Sequence, residues 1–125
     1  VVRDAVSQIP PEKLLMGIPN YAYDWTLPFI KGNAAQAISN NRAIELAREV
    51  GAEIMYDETA QTPYYNYYDS NGRQHVVWFE DARSVAAKMQ LLRNYNLAGY
   101  SIWTVMSFYK PMMTVMDSMF DIIKI

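Results

Sequence analysis

The stretch LLMGIPNYAYDWTLPF, residues 14–29, is apolar in its first half and aromatic in its second. Residues 14–18 have the continuous apolar character of a buried strand. Tyr21, Tyr23, Asp24 and Trp25 then follow Pro19 in close succession. Because alternate residues of an extended chain share a face, Tyr21 and Tyr23 point the same way. We therefore predict a strand over 14–23 whose end forms either packed core or the wall of a binding site.

Composition narrows the class of protein. The chain has 125 residues, enough for one domain with a hydrophobic core, and its net charge of -2 includes no basic block that would favour nucleic acid. The lack of cysteine excludes disulfides and thiolate metal sites. No apolar run reaches the roughly 18 residues of a membrane span. The chain opens without methionine inside a helical pattern, so we expect a piece of a longer protein.

Periodicity and capping residues predict the other elements. The clearest is a hairpin whose turn is DSNG, 69–72, because Asn-Gly suits a tight turn. The methionines near the end of the chain are predicted to be core packing. The full set is a helix tail over 1–9, a loop over 26–37, a helix over about 41–50, a strand over 53–56, hairpin strands over 64–68 and 74–79, a helix capped by Asp81, a strand over 99–105 and a helix opened by Pro111.

Few side chains are candidates for chemistry. His75 is the single histidine, which excludes a multi-histidine metal site, and we predict that it is exposed on the hairpin. Neighbouring acids such as Asp57 and Glu58 point to opposite faces of a strand and cannot form a dyad. Asp81 is predicted to cap a helix. Asp24 is the carboxylate predicted to contact a ligand, because it follows two tyrosines at a strand end.

The aromatic cluster at 21–25 suits a sugar, which has C–H faces and a rim of hydroxyls, although a peptide or an aromatic ligand would also fit. Trp103, late in the last strand, is by itself a typical core residue. Motifs for phosphate binding, dinucleotides, zinc proteases and serine hydrolases are absent from the sequence.

Two segments carry a more specific pattern. PPEKLLMGIPNYAYDW and TPYYNYYDSNGRQHVVWFEDARSVAAKMQLLRNYNLAGYSIWTV resemble the spore-cortex-lytic branch of glycoside hydrolase family 18. The resemblance implies an α/β fold, the C-terminal portion of a TIM (β/α)8 barrel with a small α+β insertion that contains a β-hairpin. Residues 1–38 would be the end of barrel helix six with strand seven and its loop. Residues 39–79 would be the insertion, and 80–125 helix seven, strand eight and helix eight.

The resemblance implies a retaining hydrolase of β-1,4 bonds at N-acetylglucosamine in spore-cortex peptidoglycan or chitin-like polymers, with the substrate's acetamide as nucleophile. Such enzymes carry a DxxDxDxE motif whose glutamate is the acid, and this sequence lacks it. We therefore expect no catalytic residue in this chain and no activity of the chain alone. The expected partners are the glycan and the rest of the barrel, with self-association of the isolated chain, in the cell wall or spore outside the cytoplasm.

The resemblance also implies a set of sugar-binding residues. Trp103 matches the strand-eight floor of the cleft and Tyr21 a strand-seven tyrosine, while Tyr23 stands where many chitinases have arginine, which favours the cortex-lytic branch. No cofactor and no metal is implied. The alternatives are a glycan-binding module without catalysis and a purely structural subdomain. The predicted substrate-binding residues are Tyr21, Tyr23, Asp24, Trp25, Asp57, Glu58, Tyr64 and Trp103.

Overall fold

The computed structural model describes residues 1–123. Within that range every helix is too short or too polar to span a bilayer. A short 3-10 turn over Pro11–Lys13 precedes the first strand. The elements in chain order are α1 Val2–Val6, β1 Leu15–Pro19, β2 Ala22–Thr26, β3 Gln36–Ile38, α2 Asn40–Glu49, β4 Met55–Asp57, β5 Thr62–Tyr68, β6 Gln74–Trp78, α3 Ala82–Asn94, β7 Gly99–Trp103 and α4 Lys110–Met119.

The first of two layers, which we name the parallel layer, consists of β1, β7, α3 and α4. Strands β1 and β7 are parallel and pair from Leu15 with Gly99 to Pro19 with Trp103. A parallel pair requires a long crossover, which here contains the rest of the sheet structure and α3. Apolar side chains of both helices share one core cluster with Ile18 of β1. The core of this layer is Ile18, Val85, Met89, Tyr109, Met112 and Met116.

The second layer, the antiparallel layer, consists of five strands and α2. Its strand order is β3-β2-β6-β5-β4, and all neighbours are antiparallel. Strands β2 and β3 precede residue 39, so the sheet extends beyond the segment predicted as the insertion. Ile44 of α2 packs against the cores of both layers and joins them. The core of the antiparallel layer is Ala22, Ala43, Ala47, Tyr65, Val77 and Phe79.

The prediction of one strand over 14–23 is wrong, because the chain passes from one sheet to the other at Asn20. The backbone N–H of Asn20 donates to the Trp103 carbonyl at 2.7 Å, which closes the parallel pair. Its buried side-chain amide donates to the carbonyls of Thr104 and Ser107. The strand therefore ends here, and β2 starts in a new direction. The predicted loop over 26–37 also runs into β3.

The locally encoded elements are confirmed. Asp81 caps α3, accepting from the Ser84 N–H at 3.0 Å, while the Ser84 hydroxyl accepts from the Asp81 N–H at 2.9 Å. Ser39 caps α2. The hairpin turns at Gly72, whose φ of 74° is readily adopted only by glycine. Burial of Met112 and Met116 confirms the methionines as packing.

Candidate functional site

The carboxyl ends of β1 and β7 lie side by side and bring two aromatic segments together. Pro19 pairs with Trp103 at the last position of the ladder, and Tyr21 follows two residues later. Tyr21, Tyr23 and Trp103 line one open cleft of 310 Å³, which we name the first cleft, together with Ile38 and four small residues. Of all predicted site residues, these are the three that the structure assembles.

Trp103 is 73% exposed, so it is not a core residue. A large ring that remains exposed beside two tyrosines offers a flat apolar face to a ligand. Tyr21 contributes a phenol whose pKa is raised by burial and by the neighbouring Tyr23 hydroxyl. It is therefore a neutral hydrogen-bond donor at physiological pH. The first cleft thus combines ring faces with hydroxyls, the chemistry expected of a sugar site.

A row of rings extends from this cleft along β2. Tyr21 lies edge-on to Tyr23 at 5.2 Å between ring centroids, and Tyr23 is 6.0 Å from Trp25. Trp25 in turn packs on Phe29 at 5.6 Å. Alternation along β2 places Tyr23 and Trp25 on one face, and Tyr21 and Phe29 extend the row at its two ends. Trp25 therefore belongs to the row, but it does not line the first cleft.

Asp24 lies on the opposite face of β2 and does not reach the first cleft. Its carboxylate accepts a hydrogen bond from the Tyr67 hydroxyl at 2.6 Å, and its other oxygen is 2.8 Å from His75 Nδ1. The Tyr67 ring stacks on His75 at 4.7 Å. Burial, followed by the bond to Asp24, raises the pKa of Tyr67. A direct contact between Asp24 and a sugar stays a prediction that this geometry does not support.

The prediction of an exposed His75 is wrong. Its side chain is 12% exposed and lies between Asp24 and Asp69, whose Oδ2 is 3.4 Å from Nε2. The two-stranded hairpin seen in the sequence would leave this histidine open. In the structure β2 pairs with β6 and covers it, with Thr26 opposite His75. Asp24 lies on β2 and Asp69 lies in the hairpin turn, so His75 links these two parts of the sheet through its two ring nitrogens.

Asp57 and Glu58 lie away from the first cleft. Asp57 Oδ1 accepts from the backbone N–H groups of Thr59 and Ala60 at 2.9 and 2.6 Å, so it organises the β4–β5 turn. Glu58 accepts from the Gln61 side chain in the same turn. Both residues therefore have structural partners, and their contact with a glycan stays a prediction.

Two residues that the sequence analysis left out of the site, Trp78 and Glu80, line a second cleft of 170 Å³. Tyr21 and Tyr23 line it as well, so the two clefts share a wall. Tyr64 does not line either cleft but stacks on Trp78. The hairpin register could have revealed Trp78, because counting back from the turn places Tyr64 opposite it.

The described part of the chain holds no group of three or more potential metal ligands. The side chains that line the two clefts are aromatic rings, hydroxyls, a few small or aliphatic groups and a single carboxylate. Aromatic side chains gather at the carboxyl ends of the parallel strands, where α/β folds place their ligands, so the chain is an α/β protein with a candidate ligand-binding site at that end.

Comparison with known proteins identifies the family. The model of Glycosyl hydrolases family 18 matches residues 2–107, and the chain belongs to this family. The cortical fragment-lytic enzyme of Bacillus anthracis is 49% identical over 106 residues, which are 84% of this chain and 25% of that enzyme. The spore cortex-lytic enzyme SleL of Bacillus megaterium QM B1551 has a TM-score of 0.94 and 43% identity, over 98% of this chain and 29% of that one.

The structure of a more distant relative contains a bound ligand. A chitinase of Cycas revoluta, solved in complex with (GlcNAc)4, has a TM-score of 0.69 and 26% identity, over 88% of this chain and 34% of that chain. This chain therefore spans between 25% and 34% of the three relatives described here. The resemblance read from the sequence, to the spore-cortex-lytic branch of the family, is confirmed.

Proposed function

We propose that this chain provides part of the glycan-binding cleft of a family 18 glycosidase that hydrolyses β-1,4 bonds at N-acetylglucosamine, in spore-cortex peptidoglycan or a chitin-like polymer. The observation that carries the proposal is the first cleft. Tyr21, Tyr23 and Trp103 come from distant segments of the sequence, yet they line one open site. The likeness to cortex-lytic enzymes favours a cell-wall or spore substrate outside the cytoplasm.

The barrel assignment belongs to the same proposal. Strands β1 and β7 correspond to strands seven and eight of a (β/α)8 barrel, α3 and α4 to helices seven and eight, and α1 to the end of helix six. The parallel register of β1 and β7 and the α3 crossover between them support this. In this assignment, the antiparallel layer is inserted in the loop that follows barrel strand seven. In such barrels the carboxyl ends of the strands carry the site.

The chain's own residues bind and orient the glycan rather than transfer protons. Stacking positions the sugar ring, whereas cleavage of a glycosidic bond also needs a proton donor at the leaving oxygen. The DxxDxDxE motif that supplies this donor in the family is absent from the 125 residues. The proton donor of the whole enzyme would therefore lie on other polypeptide, and we expect the chain alone to show no turnover.

The test is a titration of the chain with chitopentaose, followed by calorimetry. Replacing Trp103 with alanine should weaken binding by about 2 kcal/mol, roughly thirtyfold, because an exposed ring that anchors a ligand carries much of the binding energy. Tyr21→Ala should weaken it less. Tyr68→Ala is the matched control, since Tyr68 is 68% exposed and lies at the far end of the hairpin.

Unchanged affinity in Trp103→Ala would overturn the assignment of the first cleft. Release of shorter sugars from chitopentaose by the chain alone would overturn the claim that the acid lies elsewhere. Both outcomes can be read from the same samples, by calorimetry for binding and by chromatography for products.

A second candidate function is a binding module that holds glycan without cutting it. The missing acid motif favours it, because the first cleft is formed without any catalytic group in the sequence. The two functions differ in what the complete protein does. A purified full-length protein that binds chitopentaose and never cleaves it would support the module, and cleavage would support the enzyme.

Self-association of the isolated chain is part of the proposal. Leu15 on β1 is 64% exposed, and an apolar cavity of 730 Å³ opens between β1, α1 and α3. Open strand edges and apolar faces promote pairing between copies. Light scattering should therefore show dimers or larger species at high concentration, and a monomer throughout would contradict this.

A further inference from the structure

The second cleft contains a supported ring that the function proposed above does not use. Tyr64 stacks on Trp78 with 4.6 Å between ring centroids and an angle of 23° between the planes. On its other neighbouring strand, Trp78 is paired with Tyr23. Since Tyr64 occupies one face of Trp78, the indole is held in place before any ligand arrives. Such a ring costs little entropy to order on binding.

We propose that the second cleft is a subsite for the sugar next to the one held at Trp103, with Trp78 as the platform on which that sugar stacks. The proposal rests on the proposed function, because it extends the same glycan. The reason for an adjacent sugar is continuity, since Tyr21 and Tyr23 line both clefts. The second cleft is also the smaller, at 170 Å³ against 310 Å³, which suits one ring rather than a chain of several.

Glu80 provides the polar group that this subsite needs. It is 5% exposed and lines the cleft. Lys88 Nζ lies 2.9 Å from each of its carboxylate oxygens, and the Ser84 hydroxyl donates to Oε2 at 2.6 Å. A carboxylate offers about four acceptor positions, so these contacts leave one for a sugar hydroxyl. Because Lys88 balances its charge, the carboxylate acts here as a fixed acceptor.

The second subsite predicts an effect that depends on glycan length. A monosaccharide can occupy the first cleft without gaining from Trp78, whereas a longer glycan contacts both clefts. Trp78→Leu should therefore weaken chitopentaose binding by about tenfold while leaving the binding of N-acetylglucosamine, the monosaccharide, unchanged, since one stacked ring is lost. Tyr64→Leu, which removes the support behind Trp78, should give a smaller loss with the same length dependence.

The experiment is calorimetry with both sugars on the 125-residue chain and its variants. Tyr68→Leu is the matched control, because it removes an exposed ring from the same sheet at a position that lines neither cleft. Thermal unfolding establishes which variants are folded. If Trp78→Leu fails to fold, Tyr64→Leu decides, because Tyr64 supports the platform without lining the cleft. Equal affinity of a folded Trp78→Leu variant for chitopentaose, or an equal loss for both sugars, would overturn the second subsite.

The outcomes separate the two proposals. If Trp103→Ala weakens both sugars and Trp78→Leu weakens neither, the first cleft stands and the second subsite fails. If Trp78→Leu acts only on chitopentaose while Trp103→Ala has no effect, the first cleft is wrongly assigned. Absence of binding by the unmodified chain to either sugar would overturn both.

Discussion

The two layers of this protein are held together by different means. The parallel layer has a methionine-rich core, with Met89, Met112 and Met116 fully buried around Ile18. The antiparallel layer is built on Tyr65, whose buried hydroxyl donates to the Ala43 carbonyl at 2.6 Å. Flexible methionine side chains can fill irregular gaps in several conformations. A buried tyrosine whose hydroxyl is hydrogen-bonded fits its surroundings in a single orientation.

The difference matches what each layer does for the site. The antiparallel layer presents a row of rings whose spacing depends on strand register, and the Asp24–His75–Asp69 contacts hold that register. The parallel layer brings the ends of β1 and β7 together at Pro19 and Trp103 through backbone pairing, to which the Asn20 side chain adds hydrogen bonds to the carbonyls beyond β7.

The largest expected effect is in the antiparallel core. Tyr65→Ala should destabilise the fold by about 4 kcal/mol, because it leaves a large cavity and removes the bond to Ala43. Urea unfolding followed by circular dichroism measures the loss. Tyr68→Ala is the control, since that side chain is 68% exposed and should change stability by less than about 0.5 kcal/mol. An equal loss of stability in Tyr65→Ala and Tyr68→Ala would contradict the structural role assigned to Tyr65.

A somewhat smaller effect is expected in the parallel core. Met89→Ala should cost about 3 kcal/mol, because neighbouring methionines can move into part of the cavity. Amide hydrogen exchange should show faster exchange mainly in β1, β7, α3 and α4. Met106→Ala, at a side chain that is 87% exposed, is the control. Faster exchange of equal size in the antiparallel sheet would show that the two layers open together.

The smallest effect concerns pH and the hairpin turn. Hydrogen bonds from Arg73 and Asn71, with help from His75, hold the pKa of Asp69 at about 2, below its ordinary 3.8. Because the folded pKa is lowered, this stabilisation is complete above pH 3.8 and is lost as pH falls through about 2. Amide exchange in the 69–73 turn should therefore accelerate over that window before the parallel layer changes.

Asp69→Asn tests whether protonation of Asp69 causes the loss of stability in the turn at low pH. Asparagine keeps an acceptor oxygen but has no charge to lose, so the acid-induced acceleration in the turn should shrink. Acceleration of the same size in the variant would assign the pH dependence to other carboxylates.

Much of the fold is predictable because the signals are local. Asp81 and Ser84 lie three residues apart and cap α3 through hydrogen bonds that need no distant residue. Gly72 forms the turn because glycine readily adopts a positive φ. The site is less predictable. Tyr21, Tyr23 and Trp103 were predicted through the family resemblance, whereas the placement of Asp24, the burial of His75 and the role of Trp78 depend on which strand pairs with which.

The amino-acid sequence by itself determined the helices, the hairpin and the family, since capping, turn chemistry and an ordered set of motifs act over short distances. The tertiary structure decided the break at Asn20, the side of β2 that is buried and the meeting of Tyr21 with Trp103. Alternation along a strand only divides residues between two faces. The face of β2 that carries the exposed aromatic row is set by where α2 and β6 pack, and those contacts come from residues further along the chain.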